Sequence, residues 1–217
     1  MRAMTEHAPR YDYAAMFDDP AAVFADPSAI EIVRMPALHV STGQLVGFDP
    51  HQIGCYDLDY APYERTVAPG LYAGRACLDR GSGGVAATWL QLRRAAVVRW
   101  ALAAPSAAAL DDLTLHVKGT AYGYECRGTG GLADAHALAP YVRRPERLLH
   151  KLERARSADT PYSAVLLSDA GPNLWVTNAH DGGPCRAFWG LDSEGQTVAL
   201  VSDFFTGYHA ARPRPLT

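Results

Sequence analysis

The sequence predicts a mainly β protein of the α+β class: one antiparallel β-sandwich or barrel-like domain, with a short N-terminal helix and one or two helices between residues 132 and 156. Three observations predict this fold. Short apolar runs recur along the chain, glycine-containing turns separate them, and only one longer stretch has helical periodicity. A chain of 217 residues fits a single all-β domain, so we expect one domain over 1–217, with 206–217 as a C-terminal tail.

The N-terminal third predicts a helix followed by two strands. Apolar and aromatic residues lie at helical spacing over 11–17, and Asp-Asp-Pro at 18–20 ends that run. Residues 30–40 and 44–48 read as strands that a Ser-Thr-Gly turn joins tightly. Asp49 and Pro50 close the second strand, because the residue before a proline is driven to an extended conformation.

Glycine turns divide the middle of the chain into short β segments. We predict strands at 66–67, 71–78, 85–92, 95–102, 113–118 and 121–126. Helical segments are predicted at 132–138 and 145–156, and the second has Pro145 in its first turn and a buried stripe of Leu148, Leu149 and Leu152. Strands then return at 163–168 and 174–177.

The C-terminal part contains the densest combination of turn residues and titratable side chains. Two apolar runs, 186–191 and 197–202, flank the turn Asp-Ser-Glu-Gly at 192–195, which predicts a β-hairpin. Directly before it, His-Asp-Gly-Gly-Pro at 180–184 predicts an irregular loop, because glycine relaxes the backbone and proline removes an N–H donor. Loops held by strands commonly carry functional groups.

Several short motifs resemble the bacterial "domain of unknown function 4241" family. They are His-Asp-Gly-Gly at 180–183, Phe-Trp-Gly-Leu-Asp at 188–192, Leu-Val-Ser-Asp-Phe at 200–204, the stretch from Ser41 to Pro50, and Gly119-Thr followed by Leu-Ala-Asp-Ala at 132–135. We assign the resemblance to residues 11–205 as a whole. The chain departs from the family pattern in the Asp-Gly-Gly-Pro-Cys turn and in extra residues at 121–131. The resemblance implies a mostly β bacterial domain without a settled activity.

Composition excludes several classes of protein from our expectations. The net charge of −3, the pI near 6.2 and basic residues that are scattered rather than arranged in a stripe give no electrostatic indication of nucleic-acid binding. No apolar run predicts a membrane span and no signal peptide is recognisable, so we expect a soluble, cytoplasmic protein. The four cysteines lack a C-x-x-C spacing, which predicts reduced thiols, and no motif calls for a cofactor.

The loop at 180–184 supplies the candidate catalytic residues. His180 and Asp181, with Asp49 or Asp203 nearby, would pair an imidazole with a carboxylate, as general base catalysis requires. Alternatively, Asp181 and Asp203 only cap turns. Cys185 is a candidate nucleophile, or else a buried strand thiol. No metal is expected, because histidine pairs at ligand spacing are absent from the sequence.

Trp189 and Asp192 are the candidate ligand-binding residues. Trp189 could form the floor of a pocket beside the loop, although a core position is the simpler interpretation. We expect the loop to meet the strand ends that carry Asp49, Asp192 and Asp203. Clustered carboxylates repel unless a partner lies between them, so one of these aspartates should be partly buried with a partner.

Two functions remain open from the sequence. One is a binding or immunity-type module of a bacterial conflict system, with a protein or peptide partner. The other is a small biosynthetic or hydrolytic enzyme that uses the His180 loop on a small-molecule substrate. Neither predicts a nucleic-acid or membrane partner.

Overall fold

The computed structural model describes residues 9, 11–53, 61–104, 124–157, 159–179 and 183–204. Its helices are α1 (Tyr13–Asp18), α2 (Pro20–Val23), α3 (Ala135–Val142) and α4 (Pro145–Ala155). Its strands are β1 (Ile30–Val40), β2 (Leu45–Phe48), β3 (Gly70–Asp79), β4 (Gly84–Gln91), β5 (Arg99–Leu102), β6 (Tyr124–Cys126), β7 (Thr129–Asp134), β8 (Tyr162–Val165), β9 (Leu174–Asn178), β10 (Gly183–Leu191) and β11 (Thr197–Asp203).

The strands form two antiparallel sheets. The larger sheet has the order β1-β3-β4-β11-β10-β5, and β6 pairs with β10 beside β5. The smaller sheet has the order β2-β7-β9-β8. This architecture confirms the prediction of a mainly β, α+β fold. Among the described residues neither sheet closes on itself, which favours the sandwich over the barrel.

Three apolar clusters show that the protein has four layers. The first cluster lies between the sheets and includes Leu90, Leu200 and Trp175. On the outer face of the larger sheet, α1 and α2 pack through residues such as Met16. On the outer face of the smaller sheet, α3 and α4 pack through residues such as Leu148. Successive side chains along a strand therefore point alternately into the cluster between the sheets and into the cluster under the helices.

The two helices predicted between 132 and 156 are present, but the first begins later than predicted. Residues 132–134 continue β7, and α3 begins at Ala135 because the Asp134 carboxylate accepts a hydrogen bond from Ala137 N at 2.7 Å. In α4, Leu148 and Leu152 are buried as predicted, whereas Leu149 is only partly buried. The predicted N-terminal helix is confirmed as α1.

The strands predicted at 30–40 and 44–48 exist, but they do not pair with each other. β1 pairs with β3 in the larger sheet and β2 pairs with β7 in the smaller one, so the turn between them crosses from sheet to sheet. The hairpin predicted at 186–202 is confirmed as β10 and β11. No strand forms at 66–67, and the strand predicted at 113–118 lies outside the described residues.

Candidate functional site

Four segments meet where β9 ends, and they define the candidate functional site. Ala179 N, just after β9, donates to Gly128 O at 3.0 Å in the turn between β6 and β7. Gly183, at the start of β10, lies opposite Cys126 in β6. A short 3-10 turn, Pro50–Gln52, follows β2 and completes the junction. The predicted catalytic residues His180 and Asp181 lie between these flanks in sequence but outside the described residues.

Asp49 holds the junction together. Its buried carboxylate accepts hydrogen bonds from His51 N at 2.9 Å, Gln52 Nε2 at 3.1 Å, Arg127 N at 2.7 Å and the Thr129 hydroxyl. Two of these donors belong to the 3-10 turn and two to the segment after β6. Such complete satisfaction keeps a buried carboxylate in place without a cationic partner.

Cys126 and Cys185 form a buried pair of thiols inside this junction. Their Sγ atoms are 2.7 Å apart, with the Cys185 thiol donating to the Cys126 sulfur. That hydrogen bond lowers the pKa of Cys126, and backbone hydrogen bonds from Gly128 and Gly183 lower it further. Burial raises the pKa of Cys185, and the bond to Cys126 adds to this effect. The pair is therefore chemically unequal: Cys126 is the better thiolate and Cys185 the better proton donor.

Asp203 lies at the end of β11, opposite Arg186 in β10. Its Oδ2 accepts a 2.6 Å hydrogen bond from the Tyr13 hydroxyl. Tyr13, Ala199 and Val201 belong to the cluster on the outer face of the larger sheet, so the Asp203 carboxylate faces outward as well, whereas Cys185 faces the space between the sheets. The structure thus brings Asp49 and Cys185 together at the junction and places the Asp203 carboxylate on the opposite face of the larger sheet.

Asp192 lies elsewhere, and its predicted place beside the loop is wrong. It opens the turn at the far end of the β10–β11 hairpin, while Asp203 and the start of β10 lie at the near end. Its Oδ1 accepts from Glu194 N and Gln196 N, and its Oδ2 pairs with Arg93 Nη1 at 3.2 Å. The expectation that one aspartate is partly buried with a partner is confirmed here, but the role is to hold a turn.

Trp189 is fully buried in the cluster between the two sheets. Its ring meets the Tyr63 ring edge to face, with centroids 5.9 Å apart. The position matches the simpler interpretation of Trp189 as a core residue, and its role as the floor of a ligand pocket stays a prediction.

An open cleft of about 890 Å³ lies on the outside of the same junction. The end of α4 and the segment after it form one wall, and β8, β9 and His51 form the rest. Ten of the fourteen described residues that line it have polar side chains: His51, Glu153, Arg156, Ser157, Asp159, Thr160, Tyr162, Ser163, Thr177 and Asn178. Apolar atoms nevertheless supply more of the exposed lining surface than polar atoms do, so the cleft suits a ligand that has both polar and apolar groups.

A basic surface covers α4 and the turn before it. Residues 143–156 hold six Lys or Arg and two Glu, a difference of four positive charges on a chain whose net charge is −3. Most of these side chains are exposed, including Arg147, Arg154 and Arg156. The expectation of scattered basic residues is wrong here. A local charge count over the predicted helix could have found this surface.

Sequence reasoning also missed Cys126. Its partner Cys185 is 59 residues away, and only the pairing of β6 with β10 brings the two together. Among the described residues, no three His, Cys, Asp or Glu side chains form a set that could hold a metal ion. In the same part of the chain, no helix is long and apolar enough to cross a membrane.

The fold and the junction define this protein as a helix-flanked β-sandwich with a buried, unequal thiol pair and an open cleft of mixed polarity. No protein-family model, curated protein or solved structure matches the chain. Its resemblance to the "domain of unknown function 4241" family stays a prediction.

Proposed function

We propose that this chain is a binding module of the immunity type found in bacterial conflict systems, and that it holds an extended, acidic segment of a partner protein. Two observations carry the proposal: the outer edge of β8 is open among the described residues, and a cleft extends from the end of α4 across β8 and β9 to His51. A strand edge supplies backbone hydrogen bonds to an extended peptide, and the adjacent cleft supplies contacts for its side chains.

The hydrogen bonds between β8 and β9 determine which backbone groups of β8 can bond to a bound peptide. Asn178 N donates to Pro161 O at 2.7 Å, so by antiparallel alternation Ser163 and Val165 also bond to β9. The N–H and C=O groups of Tyr162 and Ala164 then point to the other side. The Thr160 hydroxyl donates to Tyr162 O at 2.9 Å from that side. Among the described residues, no strand pairs with this edge.

The charged residues in and around the cleft indicate which kind of peptide it would bind. Arg156 lines the cleft and belongs to the basic surface of 143–156, which favours acidic residues in the segment that lies alongside. Glu153 and Asp159 also line the cleft and offset the charge of Arg156 there, so the acidic residues of the segment would lie on the exposed basic surface of α4 rather than inside the cleft. A peptide can alternate acidic and neutral residues over these two regions, whereas a nucleic acid carries a charge at every phosphate, which favours a peptide.

Selection from a random-peptide display library tests the proposal. We expect enriched peptides to be acidic and to bind the purified protein. Ala164→Pro should abolish binding without unfolding the sheet, because its N–H makes no bond to β9 and proline is tolerated on an edge strand. Arg154→Glu combined with Arg156→Glu should weaken binding at least tenfold.

The matched control is Arg94→Glu, which reverses an exposed arginine in the turn after β4 and should leave binding unchanged. Enrichment that is insensitive to Ala164→Pro would contradict the proposal, as would the absence of enriched peptides. Preferential binding of single-stranded nucleic acid to the α4 surface would also contradict it.

The enzyme alternative stays a prediction, since His180 and Asp181 lie outside the described residues. Gene neighbours discriminate between the two functions. A large toxin gene upstream favours the binding module, whereas a biosynthetic cluster favours the enzyme.

A further inference from the structure

We propose that Cys126 and Cys185 form a redox-active dithiol, which peroxide oxidises to an intramolecular disulfide and a small dithiol reductant restores. The proposal is independent of the binding function, because it concerns the space between the sheets rather than the outer cleft.

The geometry allows a disulfide to form with little movement. β6 and β10 are adjacent antiparallel strands, with Cys126 opposite Gly183 and Cys185 opposite Tyr124. The two cysteines are therefore diagonal neighbours on one face of the sheet. Their sulfur atoms are 2.7 Å apart, whereas the bond itself is about 2.05 Å long, so less than about 1 Å of approach is needed.

The surroundings assign different roles to the two sulfurs. The hydrogen bond from the Cys185 thiol lowers the pKa of Cys126, and backbone hydrogen bonds from Gly128 and Gly183 lower it further, against the opposing effects of burial and of Asp49. The thiolate is the nucleophilic form, so Cys126 is the sulfur that reacts first with peroxide. The Cys185 sulfur already lies against the Cys126 sulfur that it attacks in the second step, and it gives up its proton in that step.

The reaction balances in two steps. The Cys126 thiolate attacks one oxygen of hydrogen peroxide, the O–O bond breaks, and Cys126 becomes a sulfenic acid while hydroxide leaves and takes a proton from solvent. The Cys185 sulfur then attacks the Cys126 sulfur, the S–O bond breaks, and the Cys185 proton leaves with the oxygen as water. The two sulfurs lose two electrons and the peroxide gains them. A dithiol reverses this by exchange and itself becomes a disulfide.

Burial selects the oxidant. Both cysteines are fully buried between the sheets, so peroxide, which is about the size of a small solvent molecule, should oxidise them faster than a bulkier disulfide. Exchange with a disulfide or with a reducing dithiol needs local separation of β6 from β10 and is therefore slower. Cys77 provides an internal comparison. It is equally buried but packs on the opposite face of the larger sheet, against α1, and burial raises its pKa to about 12.

Thiol counting on the folded protein tests the inference. Reduced protein is treated with hydrogen peroxide, quenched, unfolded in excess alkylating reagent and analysed by intact mass and peptide mapping. We expect four alkylated cysteines before oxidation, two after it, and four again after treatment of the folded protein with dithiothreitol. The two lost thiols should map to Cys126 and Cys185 as a disulfide.

Variants then check the assigned roles. Cys185→Ser should leave a sulfenic acid on Cys126 that dimedone traps, Cys126→Ser should leave Cys185 unoxidised, and Cys77→Ser should still lose the same two thiols. The inference fails if the folded wild-type protein keeps all four thiols, if another pair is lost, if Cys126 passes directly to sulfinic acid, or if the disulfide can be reduced only in denaturant. The wild-type measurement decides even if a variant does not fold.

Discussion

The Tyr13 hydroxyl donates a 2.6 Å hydrogen bond to Asp203 Oδ2 and so ties the first helix to the last strand. Tyr13 is fully buried, and its ring packs edge to face on Trp100 and tilted against Phe188. The layer of helices on the larger sheet is thus fixed by a polar contact as well as by apolar packing. This bond gives Asp203 a structural role, whereas its predicted roles in catalysis or in capping a turn stay predictions.

Removing this hydroxyl should destabilise the protein. Tyr13→Phe keeps the ring and leaves the Asp203 carboxylate without this donor, so the free energy of unfolding should fall by about 1 to 3 kcal/mol. Asp203→Asn keeps an acceptor oxygen and should cost less. Urea unfolding followed by tryptophan fluorescence measures both values. Equal stability of wild type and Tyr13→Phe would contradict the assigned role.

Substitution of Asp49 should lower the stability of the protein more than substitution of a residue that acts only in binding or catalysis. Asp49→Ala leaves four donors without their common acceptor in a buried junction, and we expect a loss of roughly 2 to 4 kcal/mol in the free energy of unfolding. Thermal unfolding monitored by circular dichroism measures the effect. The exposed Asp26, which only caps the 3-10 turn Pro27–Ala29, is the matched control, and Asp26→Ala should have a much smaller effect. Comparable losses for the two variants would show that Asp49 does not hold the junction.

Much of the fold was predictable because its signals are local. The β10–β11 hairpin follows from two apolar runs around the Asp192–Gly195 turn, and α4 follows from its leucine spacing. The start of α3 was misplaced because Leu132 and Ala133 have no β-specific signal, and their pairing with β2 and β9 determines their conformation.

The site was less predictable because its members come from distant parts of the chain. Proximity of Asp49 to Cys185 depends on the packing of two sheets, and the Cys126 partner depends on strand order. Asp192 was assigned to the wrong end of a correctly predicted hairpin, because a turn and the strand end opposite it cannot both lie at one site. Periodicity predicts which face a residue occupies but not which strands become neighbours.

Buried acids predict a loss of stability at alkaline pH. Burial raises the pKa of Cys77 from its ordinary value of 9.0 to about 12, and it also raises the pKa values of Tyr63 and Tyr124. A folded-state pKa above the unfolded one gives stability that is complete below the unfolded pKa and is lost as pH rises toward the folded pKa. Urea unfolding should therefore show decreasing stability from about pH 9 upward, and Cys77→Ala should reduce the slope. A flat profile over this range would contradict the prediction.

Gly74 in β3 should not accept a side chain. A Cβ atom at this position would lie 2.0 Å from Cη2 of the buried Trp175, whose indole Nε1 is held by a 2.8 Å hydrogen bond to Pro36 O. The ring cannot move aside without breaking that bond or separating the sheets, so Gly74→Ala should cost about 1 to 3 kcal/mol. The double variant Gly74→Ala with Trp175→Phe removes the obstructing ring and should show less than additive destabilisation. Additive losses would mean that the clash is relieved elsewhere.

The loop that begins after Ala179 should contribute to function and not to stability. His180→Ala and Asp181→Ala should leave the melting temperature nearly unchanged and remove activity or partner binding. The reason lies in the flanks: the backbone bond from Ala179 N to Gly128 O and the pairing of Gly183 with Cys126 hold both ends without these two side chains. Differential scanning calorimetry and binding of the selected peptides measure the two effects separately. The prediction is contradicted if either variant unfolds. It is also contradicted if both variants keep full binding and any activity that the gene neighbours suggest, because the loop would then be only a turn.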